Sequence, residues 1–204
     1  VYLQLAPGES VVLETYGNKR TGTAFAYYEA AGAAQPVGAA WNLTFTEGGP
    51  ELPDAQQVQS LGSWTGFGNP AYRIFSGTAD YTTTLPALSG ADAWRLDLGM
   101  VRESAEVLVN DQYLGTLLKA PFTVDIDPAL LKGDDKLTVR VSNSMANRII
   151  DLDKRGAQWK IFYNTNFPAR LRENSVNGQF DASKWEATPS GLLGPVTVTP
   201  LKKL

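Results

Sequence analysis

Residues 94–143 read WRLDLGMVRESAEVLVNDQYLGTLLKAPFTVDIDPALLKGDDKLTVRVSN, and apolar side chains recur there at every second position three times: Trp94, Leu96 and Leu98; Val107 and Val109; Leu137, Val139 and Val141. Charged or turn-forming residues separate the three sets. Side chains of an extended strand point alternately to opposite faces, so this period of two predicts antiparallel strands with one face buried and one in water. Asn110 and Asp111 supply a tight turn between residues 107–109 and 113–117, because both residue types tolerate a left-handed backbone. LLKGDD turns the chain before the third set, and in DPALL Asp127 can cap a short helical turn with Pro128 at its first position. Pro121 follows Ala120 in a bond that can be cis.

Working outward toward the N-terminus, residues 1–13 alternate around the turn APGES and predict two short extended runs, with a further strand at 23–28. AAGAAQPVGAA (30–40) combines small residues with Gly and Pro and reads as a linker. An Ala-rich helix there would be short and interrupted by Gly32 and Pro36. WNLTF (41–45) places Trp41, Leu43 and Phe45 on one face and Asn42 and Thr44 on the other, a strand that opens a new unit. GSWTGFGNP (62–70) sets Trp64 and Phe67 among turn residues, and YRIFSGTADYTTTL (72–85) reads as two β segments about Gly77. Past Asn143 the pattern is irregular, a polar and aromatic excursion, before SGLLGPVTVTPL (190–201) closes with a strand carrying Val196 and Val198. Eight or more strands, frequent Gly/Pro turns and little amphipathic helix predict an all-β fold, an antiparallel β-sandwich or jelly roll. Residues 1–39 then read as the end of a preceding β domain and its connection, and 40–204 as the sandwich. Val1 stands where an initiator Met would, which predicts an internal position of a longer protein.

The 204 residues suffice for one large β domain, and 43% apolar residues with five Trp, eight Tyr and eight Phe are the composition of a globular chain. A net charge of −3 gives no general attraction to nucleic acid. No run of about eighteen apolar residues offers a membrane insertion. Cys and His are both absent, which excludes a disulfide framework, thiolate or imidazole metal sites, and His-dependent nucleophile systems. No cofactor is expected; any metal would be a hard cation held by oxygen atoms, calcium foremost, although no spaced acidic loop of EF-hand type occurs. Basic residues gather modestly at Arg148, Lys154, Arg155, Lys160, Arg170 and Arg172, either a solvated face or a contact for an acidic partner.

Four segments in order, FSGTADYTTTL (75–85), LDLGMVRESAEVLVNDQYLGTLLKAPFTVDI (96–126), SNSMANRI (142–149) and SGLLGPV (190–196), resemble the galactose-binding-like β-sandwich domains that accompany large glycosidases such as glycoside hydrolase family 2. The likeness is greatest to the C-terminal domain of family 106 α-L-rhamnosidases and covers about four fifths of the chain. The chain departs from that pattern between Asp151 and Ser183. The resemblance implies an accessory role in a bacterial glycoside hydrolase, secreted or periplasmic, with the catalytic domain of the same polypeptide as partner, a plant or bacterial glycan as a further one, and the acid and base outside this segment.

Residue chemistry leaves other roles open. Sandwich domains hold sugars by stacking on exposed aromatic rings, with amides, carboxylates or Arg reaching the hydroxyls. Trp64, Phe67, Tyr72 and Arg73 are the first carbohydrate-binding candidates, unless these aromatics instead cap one end of the core. Asn147, Arg148, Trp159, Tyr163 and Phe167 form a second surface, read as a domain interface because Arg and aromatic residues are enriched there. Glycoside hydrolysis needs two carboxyl groups flanking the bond. Glu103 with Glu106 and Asp125 with Asp127 are available, but they border a turn or alternate with apolar positions as solvated strand residues do, so no catalytic residue is assigned. An independent carbohydrate-binding module and a small jelly-roll glycosidase with paired carboxylates are the alternatives. The sequon at Asn42 falls within a strand and reads as accidental.

Overall fold

The computed structural model describes residues 2–5, 10–22, 25–160 and 172–204. Strands β1 (Tyr28–Ala30), β2 (Gln35–Pro36), β3 (Trp41–Gly49) and β4 (Gln56–Val58) precede helix α1 (Pro70–Ile74). Next come β5 (Ser76–Thr84), β6 (Ala93–Asp97), β7 (Met100–Arg102), β8 (Ser104–Val109), β9 (Gln112–Leu117), β10 (Thr123–Ile126) and β11 (Lys136–Ser142). Helix α2 (Ala146–Lys154) leads to β12 (Ser175–Val176), β13 (Gln179–Phe180), β14 (Gly191–Gly194) and β15 (Thr197–Lys203). Two antiparallel sheets form the sandwich: one ordered β4-β3-β5-β11-β8-β9, the other β1-β15-β6-β10 with β2 also on β15. The all-β expectation therefore holds.

Register explains why the period of two was sufficient for the centre. Leu43, Tyr81, Val139 and Val107 lie opposite one another across four adjacent strands, and all four are buried. Leu96, Ile126 and Val198 from the second sheet join the same core, each such burial being worth ~1.5–3 kcal/mol. One residue along, the water-facing row is Thr44, Asp80, Arg140 and Glu106, with Arg140 paired to Asp80 at 2.8 Å and to Glu106 at 3.6 Å. The Asn110-Asp111 turn is left-handed at both residues, φ 51° and 63°. Asn110 Nδ2 donates to the Asp135 carboxylate at 2.6 Å, which also accepts from the Lys132 and Gly133 amides. That clasp holds the β8–β9 hairpin against the turn before β11. Asp127 caps its short 3-10 turn as expected, and the Ala120–Pro121 bond is cis.

Four expectations change. Residues 72–85 are not two β segments: Tyr72–Ile74 finish α1, and β5 runs unbroken through Gly77. Glycine is needed there for close approach, since a Cβ at Gly77 would lie 2.6 Å from the Gly48 Cα. The region after Asn143 is not irregular throughout, because α2 occupies Ala146–Lys154. Among the described residues of 2–13 no strand forms, and the linker segment 30–40 instead contributes β2, which pairs with β15 as β1 does.

Candidate functional site

The two flanking segments singled out in the sequence meet at one end of the sandwich, where α1 packs against α2. In α1, Asn69 accepts a hydrogen bond from the Ala71 amide at 2.9 Å and Pro70 takes the first helical position, the favoured arrangement for starting a helix. Tyr72 turns inward; its hydroxyl donates to the Asp54 carbonyl at 3.0 Å and accepts from Gln56 Nε2 at 2.6 Å. Trp64 is fully buried in an aromatic cluster around Phe45, 5.4 Å from that ring and 5.9 Å from Phe75 between centroids. Phe67 is half-buried against Tyr72.

Trp64 and Tyr72 therefore present no ring face to a sugar: both are core, drawn in by the apolar area of their rings. Of the four candidate sugar contacts, Arg73 alone is exposed.

A polar knot fixes α2 from below. Asn147 is buried; its amide donates to the Thr188 carbonyl at 2.9 Å and the Ser190 hydroxyl at 3.2 Å, while its oxygen accepts from the Thr188 amide at 2.8 Å. Asn143 donates to the Phe75 carbonyl and to Ser190 Oγ, and accepts from the Gly77 amide at 2.8 Å. The Ser190 amide in turn donates to Ser63 Oγ at 2.9 Å. Each donor and acceptor is answered, as buried polar groups require. Asn147 is thus committed inside this chain, and its surface role falls away.

Along α2, Asp151 accepts from Arg148 Nη1 and Arg155 Nη2, each at 2.8 Å. Asp153, nearly enclosed, accepts from Trp159 Nε1 at 2.6 Å and the Ala182 amide at 2.8 Å, and pairs with Lys160 at 2.9 Å. One carboxylate so ties both ends of the excursion that follows the helix. Trp159 and Arg148 are half-buried in these networks; Tyr163 and Phe167 lie outside the described residues.

Between α1 and α2 opens a cleft of about 200 Å³. Ile74, Ile150 and Ala187 form its apolar lining, and Asn147, Asp151, Arg73 and Lys154 its polar one. Residues 147, 150, 151 and 154 are one helical stripe at spacings of three and four. That spacing is the trace of the helix in the sequence, and three of its four residues being polar masks it. Among the described residues, Arg73 and Lys154 make no ion pair or side-chain hydrogen bond.

The candidate carboxylates go elsewhere. Asp125 is held by Arg95 at 2.8 and 3.0 Å, Asp127 caps its turn, Glu106 faces Arg140, and Glu103 is exposed beside the β7–β8 turn. Hydrogen bonds from the Ser183 hydroxyl and amide hold the Asp181 carboxyl below its ordinary range, the opposite of what a glycosidic general acid requires. Among the described residues no three acidic groups are arranged to hold a metal ion, and no helix is long and apolar enough to cross a membrane.

No family model matches the chain. It is 34% identical over 179 residues to a "Putative beta-glucuronidase" of Formosa agariphila, covering 79% of this chain and 15% of that protein. Among solved structures it is similar to a rhamnosidase from Novosphingobium sp. PP1Y, with a TM-score of 0.63 and 28% identity over 90% of this chain and 16% of that one. A β-glucuronidase of Bifidobacterium dentium shares the fold at a TM-score of 0.54 and 19% identity, over 82% of this chain and 30% of that one. The proteins to which this sandwich is similar are thus glycoside hydrolases, and it spans only a small fraction of the length of each.

Proposed function

We propose that this chain is a non-catalytic β-sandwich domain of a larger glycoside hydrolase of the α-L-rhamnosidase-like type, which supports the catalytic domain of the same polypeptide and meets carbohydrate at its α1–α2 end. The observation that carries it is the proportion of the matches: 79–90% of this chain aligns with only 15–16% of two glycosidases. The commitment of Asp125, Asp127 and Glu106 to ion pairs and caps supports it, since a catalytic carboxylate must be free to exchange a proton or attack. Residues 1–39 are read as the end of a preceding domain and its connection, lending β1 and β2 to the sheet of 40–204. Arg148 and Trp159 are read as facing the neighbouring domain.

The test is an assay of the isolated chain on aryl rhamnosides and aryl glucuronides. No turnover above the uncatalysed rate is expected. Turnover that disappears when one carboxylate is changed to its amide would reject this reading in favour of a small paired-carboxylate glycosidase.

A further inference from the structure

We propose that the α1–α2 cleft is a subsite for an acidic sugar, a uronic acid residue whose carboxylate is taken by Arg73 and Lys154. This rests on the reading above that this end of the sandwich meets carbohydrate.

The cleft is lined by two cations, Arg73 and Lys154, and one carboxylate, Asp151, which is itself paired with Arg148 and Arg155, in a chain whose net charge is −3. Asp151 is saturated by Arg148 and Arg155, so it does not neutralise the other two cations. Arg73 lies in the last turn of α1 and Lys154 ends α2, and each is free among the described residues to receive an anion. A guanidinium binds a carboxylate through two parallel hydrogen bonds, and an ammonium adds a point charge without geometric demand.

About 200 Å³ lies below the usual ~300–1,000 Å³ range of ligand pockets and suits one sugar ring, not an extended peptide. Ile74, Ile150 and Ala187 offer a surface for the C–H face of a pyranose. Trp64 and Tyr72 are inside the core, so neither gives a neutral sugar a platform. Discrimination falls to the two cations.

The experiment is calorimetric titration of the 204-residue chain with a galacturonic acid trisaccharide, the corresponding neutral galactose trisaccharide, inorganic phosphate and an oligoglutamate peptide. Arg73→Gln, Lys154→Gln and the distant control Lys136→Gln are compared, with circular dichroism verifying that each is folded. The acidic trisaccharide is expected to bind at least tenfold more tightly than the neutral one. Each cleft substitution should weaken it roughly tenfold, as loss of one charge-assisted contact does, and the control should leave it unchanged. Added salt should weaken binding, because both cations are exposed.

Equal binding of the neutral trisaccharide, or binding indifferent to both cleft substitutions, overturns the inference. So does binding of phosphate or of the acidic peptide as tight as that of the uronate, which would make the cleft a general anion or domain contact. Absence of any saccharide binding overturns it too, yet leaves the non-catalytic domain reading standing; turnover in the aryl glycoside assay rejects that reading alone.

Discussion

Asp135 shows how one buried carboxylate joins two turns. Burial acts most strongly on it and pushes its pKa up. Hydrogen bonds from Asn110 and from the Lys132 and Gly133 amides, with the charge of Lys132, together outweigh that and leave the carboxyl below its ordinary 3.8. A lowered folded pKa means that the unfolded chain binds the proton more tightly. The stabilisation is therefore complete above the unfolded value and is lost as pH falls through the folded one. Urea midpoints should hold steady from neutrality to about pH 5 and drop below pH 4, and the drop should shrink in Asp135→Ala. At pH 7 that variant should lose roughly 2–4 kcal/mol, because three donors are left without their acceptor. Gly191 is a second position that permits no substitute: φ is 105°, and an added methyl would lie 2.7 Å from Trp64 Cε3 and closer still to the Tyr81 hydroxyl. Burial raises the pKa of that phenol well above its ordinary value.

Among elements, α2 and the chain after it depend on side chains that reach far along the sequence. Asp153 binds Trp159 and Lys160 on one side of the excursion and the Ala182 amide on the other. Asp153→Ala should loosen both ends while leaving the sheets intact. Hydrogen exchange of amides 157–160 and 181–185 should accelerate, and limited proteolysis should cut there first, with global stability lowered by about 1–3 kcal/mol. Unchanged protection at Ala182 would show that the clip does not hold the excursion. The strands needed no such distant partners to be legible, because alternation along a few residues states which face is buried. Helix α1 was hidden by its five-residue length, although Asn69-Pro70 is a start signal. α2 was hidden because Asn147, Asp151 and Lys154 place polar groups on the stripe it shares with Ile150.

Over the whole molecule, the sheet edge at β15 is covered by β1 and β2, with register Tyr28↔Lys203 and Thr197↔Pro36. An uncovered strand edge offers unpaired N–H and C=O groups to other chains. A chain shortened to residues 40–204 should melt lower and aggregate at concentrations where residues 25–204 remain monomeric, measured by light scattering during thermal unfolding. Equal behaviour of the two would place the working boundary at 39/40 and make β1 and β2 dispensable.

The sequence by itself determined the all-β class, the central strands and their inward faces, the Asn110-Asp111 turn and the likeness to glycosidase sandwiches. Each of these depends on neighbours within a strand or turn. Only the tertiary structure decided that Trp64 and Tyr72 are core, that Asn147 is a brace, and that Arg73 and Lys154 face one cleft. Those outcomes depend on which residues, tens of positions apart, compete for the same space and the same hydrogen bonds. Local periodicity carries no record of that competition.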